Sequence, residues 1–154
     1  MTEKADGKKP VKILFVCTGN TCRSPMAQAV LKDILKREGL GGNFRISSAG
    51  LGAAAGEPMQ PDAKTALGRL GVKAHAHKSR RLTAAMLKTA DLIITMTLAQ
   101  KQALAGGAKI FCIAELTDGR DVPDPIGQGA RVYELTALEL KRKLDIIYKD
   151  VLSK

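Results

Sequence analysis

The sequence predicts a single-domain α/β fold, a three-layer sandwich in which helices cover both faces of a four-stranded parallel sheet. Short apolar, β-branched runs alternate with stretches of helical period along the chain, the pattern of strand–helix units that build a parallel sheet. The 154 residues, 45% of them hydrophobic and 26% charged, suit one domain with a proper core. No repeat, linker or low-complexity segment divides them.

Residues 1–10 are polar and read as a flexible leader, so the domain is expected over 11–154. The run at 11–16 is apolar and β-branched like a buried strand. A helix is expected over 25–37, where Met26, Val30 and Ile34, with Ala27, Leu31 and Leu35, repeat every four residues and Gly39 marks the stop. Further strands are expected at 44–48, 92–96 and 109–113, and further helices at 61–70, 83–89 and 98–105. Leu140, Leu144, Ile147 and Val151 form the inner stripe of a last helix. Ligands of such sheets bind beyond the carboxyl ends of the strands. Cys17, Ser48, Thr97 and the loop holding Asp124 all fall at or after strand ends, so distant segments are expected to converge there.

Residues 16–26 read Val-Cys-Thr-Gly-Asn-Thr-Cys-Arg-Ser-Pro-Met. Cys17, five intervening residues, Arg23 and Ser24 form the arrangement that cysteine-based phosphate chemistry needs. A thiolate is the nucleophile, and a free thiol with a pKa of about 8.5 is mostly protonated at neutral pH. A helix N-terminus stabilises both a thiolate and a bound phosphate. Arg23 supplies a planar fork for two phosphate oxygens, and Ser24 is placed to donate to the sulfur. Gly19 is expected to take backbone angles closed to other residues and Asn20 to tolerate left-handed ones. A zinc site is not indicated: only His75 and His77 accompany the cysteines, at no common spacing. The Gly-Lys-Ser/Thr of a nucleotide loop is absent.

This loop resembles the phosphate-binding loop of the low-molecular-weight protein phosphatases, whose branches act on phosphotyrosine and phosphoarginine. The resemblance covers nearly the whole chain: Ser47-Ser48-Ala49-Gly50 is similar to the family's second-strand ending, His77-Lys-Ser-Arg80 with Leu82 to its mid-chain loop, residues 91–96 to its third strand and Asp124-Pro125 to its late acid loop. It implies Cys17 as nucleophile, with Arg23 and the backbone N–H groups from Thr18, Gly19, Asn20, Thr21 and Cys22 holding the phosphoryl oxygens. Asp124 becomes the acid for the leaving group; Asp118 and Asp121 share its loop, but Pro123 and Pro125 stiffen Asp124. Asn20, Ser24, Ser48 and His77 become a supporting hydrogen-bond network, and Cys22 a redox partner that traps an oxidised Cys17 as a disulfide. No cofactor or metal is implied.

The substrate choice rests on aromatic residues and on Thr21. Aromatic walls suit a phosphotyrosine ring, yet there is no Trp, Phe15, Phe44 and Phe111 fall in expected strands, and Tyr133 and Tyr148 fall in or near the last helix. Ile126-Gly127 follows Asp124-Pro125, where tyrosine-directed relatives carry aromatics. The arginine-directed branch resembles this chain in carrying threonine at the position of Thr21, and departs from it in often carrying phenylalanine at that of Ile126. Phosphoarginine in proteins is therefore favoured, with phosphotyrosine the alternative. An arsenate reductase would need two more redox cysteines in a mobile mid-chain segment, and residues 75–95 hold none; Cys112 reads as core. A binding module that keeps the loop without thiol chemistry is the other alternative.

The net charge of +10, from 25 Lys and Arg against 15 Asp and Glu, attracts phosphorylated partners and nucleic acid alike. Residues such as Lys32, Lys36, Lys141 and Lys143 fall at expected solvent-facing helix positions, and no nucleic-acid motif accompanies them. The charge therefore reads as a solvated surface, and phosphorylated proteins, not nucleic acid, are the expected partners. No apolar run approaches the roughly 18 residues of a membrane span, and three cysteines suggest reduced thiols, so a cytoplasmic location is expected. Oligomeric state is left open.

Overall fold

A computed structural model describes residues 9–104 and 107–154. Four strands, β1 (Val11–Cys17), β2 (Phe44–Gly50), β3 (Leu92–Thr95) and β4 (Ile110–Cys112), form one parallel sheet in the order β2-β1-β3-β4. The helices between and after them are α1 (Arg23–Arg37), α2 (Pro61–Arg69), α3 (Ala84–Thr89), α4 (Leu98–Ala103) and α5 (Ala130–Ile147). A single 3-10 turn, Gly41–Asn43, leads into β2.

β1 is central and flanked on both sides, which is why its sequence is apolar without alternation. Ile13 and Phe15 face the larger core with Met26, Val30 and Leu31 of α1 and Leu140 and Leu144 of α5. Leu14 and Val16 face the smaller one with Ile93 and Ile110, against which Met86 and Leu87 of α3 pack. Burying one such side chain contributes about 1.5–3 kcal/mol. The chain leaves β1 for β2 on one side and returns to β3 on the other. The carboxyl end of β1 is therefore the point where the strand order reverses, the crevice in which open α/β sheets bind ligands. Cys17 is the last residue of that strand, opposite Gly50.

Several boundaries differ from expectation for identifiable reasons. α1 begins at Arg23, two residues before Pro25, because a proline's missing N–H costs nothing in a first turn. β2 runs two residues beyond Ser48 to Gly50, whereas β3 stops at Thr95 and β4 spans only Ile110–Cys112, one residue short at each end. Thr83 lies outside its expected helix as an N-cap, accepting from Met86 N at 3.2 Å, whereas α4 starts at Leu98 as expected, with Thr97 its N-cap accepting from Gln100 N at 3.2 Å. Leu70 caps α2, and α4 ends at Ala103. Ala105, its expected end, and residues 1–8 of the expected leader lie outside the described residues.

Two expectations about side chains are overturned. Val151 is not on the inner stripe but 39% exposed, because a π turn, Tyr148–Leu152, follows α5 and shifts the phase of the helix; Tyr148 and Leu152 pack against the core instead. Lys143, expected in solvent, is fully buried. Lys32 and Lys36 are exposed and Lys141 partly so.

Candidate active site

Residues 17–24 carry the chain from β1 into α1 as a tight cup. Its one left-handed residue is Asn20, at φ 58°, the only non-glycine residue with positive φ among those described. Gly19 takes no left-handed conformation, contrary to expectation, and a Cβ added there would meet nothing nearer than Thr21 Oγ1 at 3.9 Å. Asn20 tolerates this conformation because its short amide bonds locally. No side chain caps the start of α1 at Cys22, and its first turn holds no acidic residue, so the N–H groups that begin the helix are left for an anion.

The Asn20 side chain is the hub. Its Nδ2 donates to Ser24 Oγ at 2.8 Å and to Ser48 Oγ at 3.0 Å, and its Oδ1 accepts from Arg80 N at 2.9 Å. Ser48 Oγ donates in turn to Gln28 Oε1 at 2.8 Å. With Ser24 Oγ already accepting, its hydrogen is free for Cys17 Sγ, 2.9 Å away, and Asn20 N also donates to that sulfur at 3.3 Å. The nucleophile candidate is thus met by donors, the partners a negatively charged sulfur accepts.

His77 Nε2 lies 2.7 Å from Asn20 O. A carbonyl only accepts, so Nε2 carries the proton and His77 Nδ1 accepts from His75 Nε2 at 3.4 Å. Burial holds the His77 ring below the usual imidazole range. It pushes His75 down to about 4, helped by Lys32 and His77, and His75 Nδ1 is buried without a partner among the described residues. This pair of neutral rings buttresses the loop from below.

Arg23 is buried, and its Nη1 donates to Val122 O at 3.1 Å while Nη2 lies 3.8 Å from Asp124 Oδ2. The phosphate loop and the acid loop therefore meet through the arginine. Cys17, Gly19, Asn20, Thr21, Cys22, Arg23, Asp124 and Ile126 line a single small cleft. The three aspartates separate by partner. Asp118 pairs with Lys143 and Arg142, and Asp121 Oδ1 accepts from Leu98 N and Cys112 Sγ; Asp124, about half exposed, reaches the cleft. Pro125 is buried beside it.

Of the expected site residues, Thr18 lies at the rim and not on the cleft, its Oγ1 accepting from Gln100 Nε2 at 3.1 Å. Cys22 Sγ lies 3.3 Å from Tyr133 OH, and burial pushes its thiol up. Ser48 and His77 stand behind the loop, on Asn20. Tyr133, Gln28, Gln100 and the roles of Arg80 and Val122 O went unrecognised in the sequence. Each acts on a residue 20 to 111 positions away, and periodicity carries no such signal. Gly50 did carry one. Glycine at a strand end marks close backbone approach, and a Cβ there would stand 2.5 Å from Thr18 O and 3.0 Å from Asn20 Cβ.

The sequence profile described as low molecular weight phosphotyrosine protein phosphatase matches residues 12–154. A protein-arginine-phosphatase of Bacillus subtilis (strain 168) is 40% identical over 146 residues, covering 90% of this chain and 95% of its own length. A probable low molecular weight protein-tyrosine-phosphatase, EpsP, of Ralstonia nicotianae is 36% identical over 138 residues, covering 86% and 90%. Among solved structures, a cysteine-to-serine mutant of YwlE arginine phosphatase with a phosphorylated active-site serine superposes with a TM-score of 0.83, at 37% identity over 94% of this chain and all of the other.

Proposed function

From the premise that the chain belongs to the low molecular weight phosphotyrosine protein phosphatase family, we propose that it hydrolyses phosphoarginine in proteins through a phosphorylated Cys17. Cys17 attacks phosphorus, the P–N bond breaks, and the Asp124 carboxyl protonates the departing guanidinium nitrogen. A water molecule then attacks the phosphocysteine. Asp124 takes its proton, the S–P bond breaks, and inorganic phosphate leaves with Cys17 restored. Arg23 and the N–H groups of the loop hold the equatorial oxygens as preorganised donors, while Asn20, Ser24, Ser48 and His77 keep the loop in shape.

The observation that carries the mechanism is the convergence of Ser24 Oγ and Asn20 N on Cys17 Sγ, with Arg23 between the loop and Asp124. The substrate assignment is supported by the cleft: Thr21 and Ile126 line it and no aromatic ring does among the described residues, so nothing there stacks on a phenol. The relatives named as arginine phosphatases point the same way. Comparing turnover of phosphoarginine and phosphotyrosine peptides tests this. The native protein should prefer phosphoarginine and Thr21→Ile should move the ratio toward phosphotyrosine; a native preference for phosphotyrosine would return the chain to the tyrosine-directed branch.

Residues 11–154 act as one catalytic domain, and the net positive charge favours phosphorylated protein partners. No helix among the described residues is long and apolar enough to cross a membrane, and we assign the protein to the cytoplasm, where thiols stay reduced. All three cysteines are free thiols. In this reading Cys22 captures a sulfenic acid on Cys17 as a disulfide, releasing water. Peroxide followed by thiol should then restore activity in the native protein and not in Cys22→Ser, and recovery in both would end that role.

A further inference from the structure

Lys143 is a charged side chain with no exposure to solvent. Its Nζ lies 2.6 Å from Asp118 Oδ1, 2.8 Å from Arg120 O and 3.3 Å from Glu139 Oε1, so the three protons of the ammonium meet three acceptors. Asp118 Oδ1 in turn accepts from Arg120 N at 3.0 Å, and Oδ2 pairs with Arg142. The two cations hold the Asp118 carboxyl well below its usual range. A buried ion pair is a poor source of net stability, because desolvation offsets its attraction; its better-attested use is to impose one geometry.

What this pair holds is the segment leading to Asp124. Beyond Arg120 the next anchors follow one residue at a time: Asp121 Oδ1 accepts from Leu98 N at 3.1 Å, Val122 N donates to Met96 O at 2.9 Å, and Val122 O accepts from Arg23 Nη1 at 3.1 Å. Pro123 and Pro125 fix the backbone on either side of the acid. The segment from 118 to 125 therefore has little slack, and it is tied to α5 by the buried Lys143, which reaches both Asp118 and Arg120 O, and by Arg142 on Asp118. That helix packs against α1, the helix whose first residue is Arg23.

We propose that Lys143, through Asp118 and Arg120, is a positioning residue for the general acid, setting the Asp124 loop in register with Arg23. This inference rests on the acid role given to Asp124 above. Lys143→Met keeps the buried stem and removes the charge, so the domain should stay folded.

The test follows release of the leaving group across a series of aryl phosphates, in the native protein, Lys143→Met, Asp124→Asn and the double variant, with inhibition by inorganic phosphate measured alongside. Lys143→Met should slow poor leaving groups by roughly ten- to hundredfold, leave good ones and phosphate inhibition nearly unchanged, and add nothing in the Asp124→Asn background. A uniform loss across the series, or full additivity with Asp124→Asn, would overturn the proposal while leaving the acid assignment standing. If Asp124→Asn itself fails to discriminate leaving groups, the acid assignment falls and takes the proposal with it. Asp118→Asn, which weakens the same pair from its partly exposed side, carries the same comparison should Lys143→Met not fold.

Discussion

The phosphate loop and the acid loop bring Cys17 and Asp124 to one cleft by opposite means. The phosphate loop is buried at Cys17, Asn20 and residues 22–24, with Thr18 and Gly19 exposed, and its hydrogen bonds centre on one residue: Asn20 reaches Ser24, Ser48 and Arg80 with its side chain and Cys17 and His77 with its backbone. The acid loop is largely exposed and held from outside, by Lys143 of α5, by Met96 and Leu98 on either side of the β3–α4 turn, and by Arg23. Binding phosphate demands donors that do not reorganise. Donating and accepting a proton demands a carboxyl in reach of water, on a support that stays fixed. One region is therefore a closed network and the other a tethered strap.

If that contrast is right, damage to each loop has its own kinetic signature. Cys17→Ser should reduce turnover by on the order of 10⁴-fold or more while inorganic phosphate still binds, measured by steady-state kinetics and calorimetry; unchanged hydrolysis would remove Cys17 from the chemistry. Asp124→Asn should slow poor leaving groups by about 10²–10⁴-fold with phosphate affinity intact, and equal loss of both would merge the two regions into one.

Asn20→Ala should lower turnover of all substrates and phosphate affinity together, by about a hundredfold in kcat/KM, and cost about 1–3 kcal/mol of stability from the partners it strands. A leaving-group-selective effect there would break the comparison. Gly50→Ala places a Cβ against the Thr18 carbonyl, and backbone cannot yield as a flexible side chain does. A lowered urea midpoint, by about 1–3 kcal/mol in stability, is expected, with impaired phosphate binding.

The smallest expected effect is on pH. His75 titrates at about 4 in the folded protein against 6.5 for an ordinary histidine, so between those values the unfolded chain binds the extra proton. Stability from this group is full above about pH 6.5 and is lost as pH falls toward 4, and His77, held down by burial, adds in the same sense. His75→Gln should flatten unfolding free energy against pH in that window; an unchanged slope would place the titration elsewhere.

The phosphate loop was far more legible in the sequence than the acid loop. Cys17, Arg23 and Ser24 lie within eight consecutive residues bounded by an apolar strand and a helix of clear period, so strand, cup and helix N-terminus follow from local order alone. Asn20 takes the left-handed conformation expected of it, and only Gly19, expected to need angles closed to other residues, takes no left-handed one. For the acid loop, two stiffening prolines and a family likeness singled out Asp124 from three aspartates. What the sequence could not show is that Asp118 and Asp121 are engaged elsewhere, while Asp124 lines the cleft.

By itself the sequence determined the alternation of strands and helices, the single apolar central strand, and the candidate nucleophile and arginine that follow it, because these depend on residues a few positions apart. Tertiary structure alone decided that the strand order reverses at β1, that Arg80 N donates to Asn20 Oδ1, that Tyr133 meets Cys22, and that Lys143 is buried beneath the acid loop. A lysine on a helix reads as solvated unless a carboxylate 25 residues away in the chain is brought onto it. The desolvation that makes such a partner necessary exists only once the chain has folded.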